Sequence, residues 1–176
     1  MLRKVEVVPH DPSWLNLFET ESKQIAIALG ENVIAIHHIG STSIEIIYAK
    51  PITDILVEVK SIAQIDDQNL SMQLLGYQCM GEFGIKDRRF FLKDNLDGIR
   101  THHIHVFEVG SVQITRHLAF RDYLNIHTED ALAYSSLKRS LAAKYSDDIE
   151  GYMDGKHDFI QEIDRKAAEW RMKPST

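Results

Sequence analysis

Absences set the first limits on this chain. It contains one cysteine, Cys79. An internal disulfide is therefore excluded, and a reducing, cytoplasmic setting is expected. No apolar run approaches the length of about 18 residues that suggests a membrane-spanning helix, so no membrane partner is expected. The start, Met1-Leu2-Arg3-Lys4-Val5-Glu6, has two basic residues but no apolar segment behind them, which argues against a signal peptide. Internal repeats, low-complexity tracts and a dividing linker are missing too, so a single domain over 1–176 is expected. Positive charge is not in excess. The net charge of −6 argues against broad binding to long nucleic acid, which depends on neutralising many phosphates. It leaves room for a local basic pocket around one nucleotide. The Gly-rich P-loop, His-Glu-x-x-His and Gly-x-Ser-x-Gly signatures are also absent.

What remains is a chain of 176 residues with ordinary globular proportions, 44% apolar and 26% charged. Residues 5–8 read as a short strand. Asp11-Pro12-Ser13 opens a helix whose stripe is Trp14, Phe18, Ile25 and Leu29, with Gly30 at its C-terminal end. Val33 to Ile39 is a buried strand, followed by the turn Gly40-Ser41-Thr42. Ile55, Val57 and Val59 alternate with Asp54, Leu56 and Glu58, the period of a strand with one core face. Residues 62–75 read as a helix ending near Gly76. Lys86 to Lys93 and Ile99 to Glu108 form a hairpin around Asp97-Gly98. Within it, Thr101, His103 and His105 share the face opposite Ile104 and Val106. Helical stripes follow, with Thr128 as a cap for the one carrying Tyr134, Leu137, Leu141 and Tyr145. Strands first and helices last predict an α+β fold with a helical C-terminal part.

Several residue groups could carry chemistry. A Gly-Ser-Thr turn offers backbone N–H groups and hydroxyls to a phosphate, through Gly40, Ser41 and Thr42, though most such tripeptides are only turns. Asp54 on the next strand could hold Mg²⁺ against that phosphate. It could equally be a strand-end acid paired with Lys50. A second acid for a two-metal centre belongs two residues on, where Leu56 stands, and Glu58 is about 13 Å along the strand. Arg88 and Arg89 can recognise phosphate, but strand alternation lets at most one of them face a given site. His103 and His105, spaced i and i+2, suit zinc, copper, a phosphate contact or simply a polar sheet face. Tyr134/Lys138 and Tyr152/Lys156 are i,i+4 pairs in which a tyrosine could stack on a base while the lysine reaches phosphate. An edge-of-core tyrosine beside a solvated lysine is the plainer alternative. Cys79 reads as a small buried hydrophobe.

The strings His38-Ile39-Gly40-Ser41-Thr42-Ser43 and Lys50-Pro51-Ile52-Thr53-Asp54-Ile55-Leu56-Val57 resemble the GrpB family. So do Arg88-Arg89-Phe90-Phe91-Leu92-Lys93, His103-Ile104-His105-Val106, Phe120-Arg121-Asp122-Tyr123-Leu124 and the two Tyr-x-x-x-Lys stretches. The resemblance spans roughly residues 5 to 170. It implies a branch of the nucleotidyltransferase superfamily, with a mixed or antiparallel sheet flanked by helices. Some relatives carry such a domain fused to dephospho-CoA kinase. The superfamily site pairs a Gly-Ser turn with Asp-x-Asp on the next strand. Gly40 and Ser41 match the turn, Asp54 matches the first acid, and Leu56 departs from the second. The expectation is a nucleotide or phosphorylated small molecule in a cleft between the Gly40-Ser41 turn and Asp54. Asp54 would be the catalytic acid and Mg²⁺ ligand. Gly40, Ser41, Thr42, Lys50, Arg88, Arg89, His103, His105, Tyr134 and Lys138 would contact the nucleotide. The Leu56 departure weakens the case for turnover and favours the alternative, a non-catalytic module for a nucleotide or CoA-like metabolite. An interaction domain with a vestigial pocket is a further reading.

Overall fold

The computed structural model describes residues 4–173; the first three residues of the N-terminal stretch considered above lie outside them. The chain divides into two compact units. One is a sheet unit of Pro12–Gly40 and Ile52–Thr115, and the other a helical unit of the stretch up to Asp11, Ser41–Pro51 and the stretch from Arg116 on.

The sheet unit starts with α1 (Ser13–Leu29), whose buried residues are Trp14, Ile25 and Leu29. Gly30, at φ +65°, ends it with a backbone conformation that other residues rarely adopt. A short 3₁₀ turn leads to β1 (Val33–Ile39). β2 (Thr53–Val59) pairs with it antiparallel. A 3₁₀ stretch, Ala63–Gln68, then precedes a short helix, α2 (Asn69–Leu74). The single helix expected over 62–75 is therefore split. The tight first half buries Ile65 and turns Asp66 toward Arg89, an ion pair of 2.8 Å. β3 (Gln78–Cys79), β4 (Arg88–Asp94) and β5 (Arg100–Glu108) complete a sheet of order β1-β2-β5-β4-β3. β5 is parallel to β2 and antiparallel to β4, so the sheet is mixed. Lys86 precedes β4 and is not part of it.

Side-chain alternation explains the division of the sheet's faces. Ile55, Val57, Val59, Phe91, Ile104 and Val106 point to one side and pack with Ile25 and Leu29 of α1, Ile65 and Met72. That hydrophobic layer is what holds the unit together; losing one such side chain costs about 2–5 kcal/mol. His38 lies on this side, its ring stacked on Phe18 at 4.9 Å. Glu21, Tyr77 and Lys93 add a polar clasp: Glu21 Oε1 accepts from the Tyr77 hydroxyl and from Lys93 Nζ, each at 2.5 Å. Burial pushes the Glu21 carboxyl up, but these hydrogen bonds outweigh it and leave it below its ordinary value. The other sheet face carries Asp54, Leu56, Glu58, His103, His105, Phe90 and Arg88, as their cross-strand pairing requires.

The helical unit contains α3 (Val112–Ile126) from Arg116 on, α4 (Thr128–Lys144) and α5 (Ile149–Met172). Ile44, Ile47, Ala119, Tyr123, Leu124, Ala131, Tyr134, Ile163 and Ala167 form its main core. Val5, Leu141, Ala142 and Tyr152 form a smaller one. The strand expected at 5–8 reduces to one bridge, Val8 to Ala49, because Val5 and Val7 are used as packing groups. Thr128 is the first residue of α4, and the cap position is His127, whose ring stacks on Tyr123 at 3.9 Å. No helix among the described residues is long and apolar enough to cross a membrane.

Candidate functional site

Two neighbouring strands, β2 and β5, bring one acid and two imidazoles together. β2 places Asp54 beside His103 in parallel register, and Leu56 beside His105. The i,i+2 spacing turns both histidines to the same face. Asp54 Oδ1 lies 3.3 Å from His103 Nδ1 and 3.3 Å from His105 Nε2. The Asp54 side chain keeps 26% of its surface exposed, so it is held but reachable.

Each histidine is gripped from behind by an arginine. Arg88 Nη1 is 3.3 Å from His105 Nδ1, and Arg100 Nη1 is 3.3 Å from His103 Nε2. A guanidinium only donates, so those two ring nitrogens are the acceptors. The network therefore assigns His105 its proton on Nε2 and His103 its proton on Nδ1, both facing Asp54. Neither ring then keeps an acceptor nitrogen for a metal ion or for proton abstraction. Arg100 is itself anchored by Asp94 Oδ1 at 2.5 Å. Arg88 also donates to the carbonyls of Glu82 and Phe83, at 3.2 and 2.8 Å. Burial works to raise the Asp54 carboxyl, but the hydrogen bonds from His103 and His105 prevail and hold it well below the usual carboxylate range. Asp54 is thus an oriented, ionised acid.

Gly40 meets this acid from the end of β1, where Ile39 pairs with Asp54. Its φ is +70°, and a Cβ there would come within 2.6 Å of Asp54 Oδ2. The position needs glycine both for its backbone and for the close approach.

Of the residues expected to form the site, the sheet unit brings together Gly40, Asp54, His103, His105 and Arg88. Arg89 points to the opposite face, bound to Asp66, whose carboxyl it holds down through hydrogen bonds. Ser41 and Thr42 form a 3₁₀ turn in the helical unit, with Thr42 buried. That unit also holds Lys50, Tyr134 and Lys138. Lys138 is 1% exposed, with Nζ 4.7 Å from the centre of the Tyr134 ring, and Lys50 Nζ lies 5.3 Å from that of Tyr152. The plain reading of a solvated lysine beside Tyr134 therefore does not hold. Phe90, and the approach of Arg100 to His103, are what strand patterning passed over. The spacing of Arg100 before His103 carries no signal of its own, because a register shift at Lys93/Asp94 brings Arg100 to the site.

A magnesium centre built on paired carboxylates does not fit these residues. Leu56, fully buried, occupies the second position, and one Asp54 oxygen already receives both imidazoles. Among the described residues, no group of three or more His, Cys, Asp or Glu is arranged to hold a metal ion. Cys79 Sγ lies 3.6 Å from the Asn69 carbonyl, and burial raises its thiol, as suits a half-buried packing group.

Comparisons with known proteins bear on the family and the fold. The family model for the GrpB protein matches residues 4–166. The Bacillus subtilis UPF0157 protein YqkA is 43% identical over 96% of this chain. The chain spans about half of that relative's length, 49%. A crystal structure of GrpB from Enterococcus faecalis superimposes with a TM-score of 0.91 at 38% identity, over 96% of this chain and 100% of that one. A structure of the Cid1 poly(U) polymerase with MgGTP bound gives a TM-score of 0.52 at 11% identity, over 79% of this chain and 45% of that one. That likeness shows a shared fold.

Proposed function

This chain belongs to the GrpB family, and from that premise we propose that it binds a nucleotide or another phosphorylated small molecule at the Gly40–Asp54 corner of its sheet, as a binding protein and not as a metal-dependent nucleotidyltransferase. The observation that carries this reading is the Asp54 carboxylate itself. It is ionised, oriented by two imidazole N–H groups, backed by two arginines and still 26% exposed. Holding a charge out of water costs free energy, and perturbed acids of this kind concentrate at functional sites. A carboxylate so placed accepts hydrogen bonds from ligand hydroxyl or amino groups. The nucleotidyltransferase-like fold supports a nucleotide as the ligand class.

The same geometry disfavours turnover. Phosphoryl-group chemistry is mostly positioning and charge neutralisation by metal ions. Leu56 supplies no second carboxylate, and both imidazoles are committed as donors. A low-affinity acid such as Asp54 is also a poor general base, since efficient bases titrate near the working pH.

The test is a thermal-shift and calorimetric screen of nucleotides, CoA-like compounds and phosphosugars, with and without Mg²⁺. At least one should raise the melting temperature, and Asp54→Asn should weaken its binding about tenfold, as the loss of a charged hydrogen bond implies. Pyrophosphate release from a nucleoside triphosphate that depends on Asp54 would establish the enzyme reading instead. If no phosphorylated compound binds, the site assignment fails.

A further inference from the structure

The segment between β3 and β4 holds a phenylalanine in a conformation that bulky residues seldom adopt. Phe83 has φ +46° and lies between Gly81 and Gly84, themselves at +63° and +88°. The residue is 57% exposed. Hydrophobic burial therefore does not account for it, and the backbone is strained to hold it. Strain of this kind persists only where surrounding bonds over-determine it. Here Phe90 N–H donates to the Gly81 carbonyl at 2.8 Å, Asp87 N–H to Glu82 Oε2 at 2.6 Å, and Arg88 Nη2 to the Phe83 carbonyl at 2.8 Å.

The ring is also oriented. It lies parallel to Phe90, with centroids 5.3 Å apart and an angle of 8° between planes. Phe90 in turn contacts His103 and His105, at 5.4 and 5.2 Å. The Arg88 guanidinium sits 4.7 Å from the Phe90 centre. The arginine that fixes His105 behind Asp54 is thus the same one that holds the Phe83 backbone. An aromatic shelf begins at the imidazole pair and ends in an accessible ring.

We propose that Phe83 is the stacking platform for the base of a nucleoside phosphate whose remaining groups reach the Asp54 corner. This rests on the binding function proposed above and narrows its ligand class to nucleotides, excluding phosphosugars without a base. Every nucleobase has a face to stack, so discrimination among bases should be modest.

Calorimetric titrations of ATP, UTP, ribose phosphate and pyrophosphate against the full chain decide the matter, using wild type, Phe83→Ala, Phe83→Tyr and Asp54→Asn. Wild type should bind the two nucleotides at least about tenfold more tightly than ribose phosphate, the size that base–aromatic stacking supports. Phe83→Ala should remove that difference, and Phe83→Tyr should keep it. Circular dichroism should show both variants folded, since Phe83 is largely exposed. If ribose phosphate binds as tightly as ATP in an Asp54-dependent manner, or Phe83→Ala leaves the difference intact, the stacking role is overturned and the Asp54 site stands. If none of these compounds binds, both proposals fall.

Discussion

At the scale of single residues, the site is a matter of hydrogen-bond direction. Two arginines can only donate, so two histidines must accept from them and donate to one oxygen of Asp54. Nitrogen-15 NMR of labelled histidines should find His103 in the Nδ1–H form and His105 in the Nε2–H form near neutral pH. The reverse assignment for either ring would break the network. The depressed Asp54 pKa has a stability consequence whose sign can be worked out. A carboxylate whose folded-state pKa lies below the unfolded value of about 3.9 stabilises the fold above that pH. The contribution is lost as pH falls toward the folded-state value. Melting curves of wild type and Asp54→Asn should therefore differ most near neutrality, and the gap should shrink below about pH 4. A gap that stays constant from neutral to acid pH would show that the charge of Asp54 does not carry the difference.

At the scale of elements, parallel pairing of β2 and β5 decides what can share the site. It sets Asp54 beside His103 and Leu56 beside His105, and leaves Glu58 further along the strand beside Phe107. Leu56 is fully buried, so it is a packing residue in the position where a second acid would stand. Leu56→Asp should lower stability by more than about 3 kcal/mol, through lost packing and an uncompensated charge. Chemical denaturation with and without Mg²⁺ checks this, and full rescue by the ion would restore the magnesium centre as a live reading. In the helical unit, Asp148 caps α5 by accepting from the Gly151 N–H at 3.0 Å. Asp148→Ala should cost about 1 kcal/mol in urea denaturation, and a silent substitution would show the cap to be idle.

At the scale of the whole molecule, the acidic balance sets what kind of partner is favoured. With a net charge of −6, the chain should show no saturable binding to long single-stranded or duplex oligonucleotides at micromolar concentration and about 0.15 M salt. Fluorescence anisotropy measures this directly, and tight salt-sensitive binding would contradict it. Periodicity and glycine placement were enough to read α1, β1, β2, the β4–β5 hairpin and the later helices, because those patterns follow from local geometry alone. The family motifs likewise single out Gly40, Asp54, His103 and His105. The amino-acid order by itself determined the face on which His103 and His105 lie and the absence of an acid at Leu56. Only the tertiary structure decided that β5 runs parallel to β2, that Arg89 turns to Asp66 while Arg88 turns to His105, and that Phe83 rests on Phe90. The physical reason is that alternation along a strand is a property of neighbouring residues. Strand order, and the direction of a guanidinium's hydrogen bonds, are settled by groups far away in the chain.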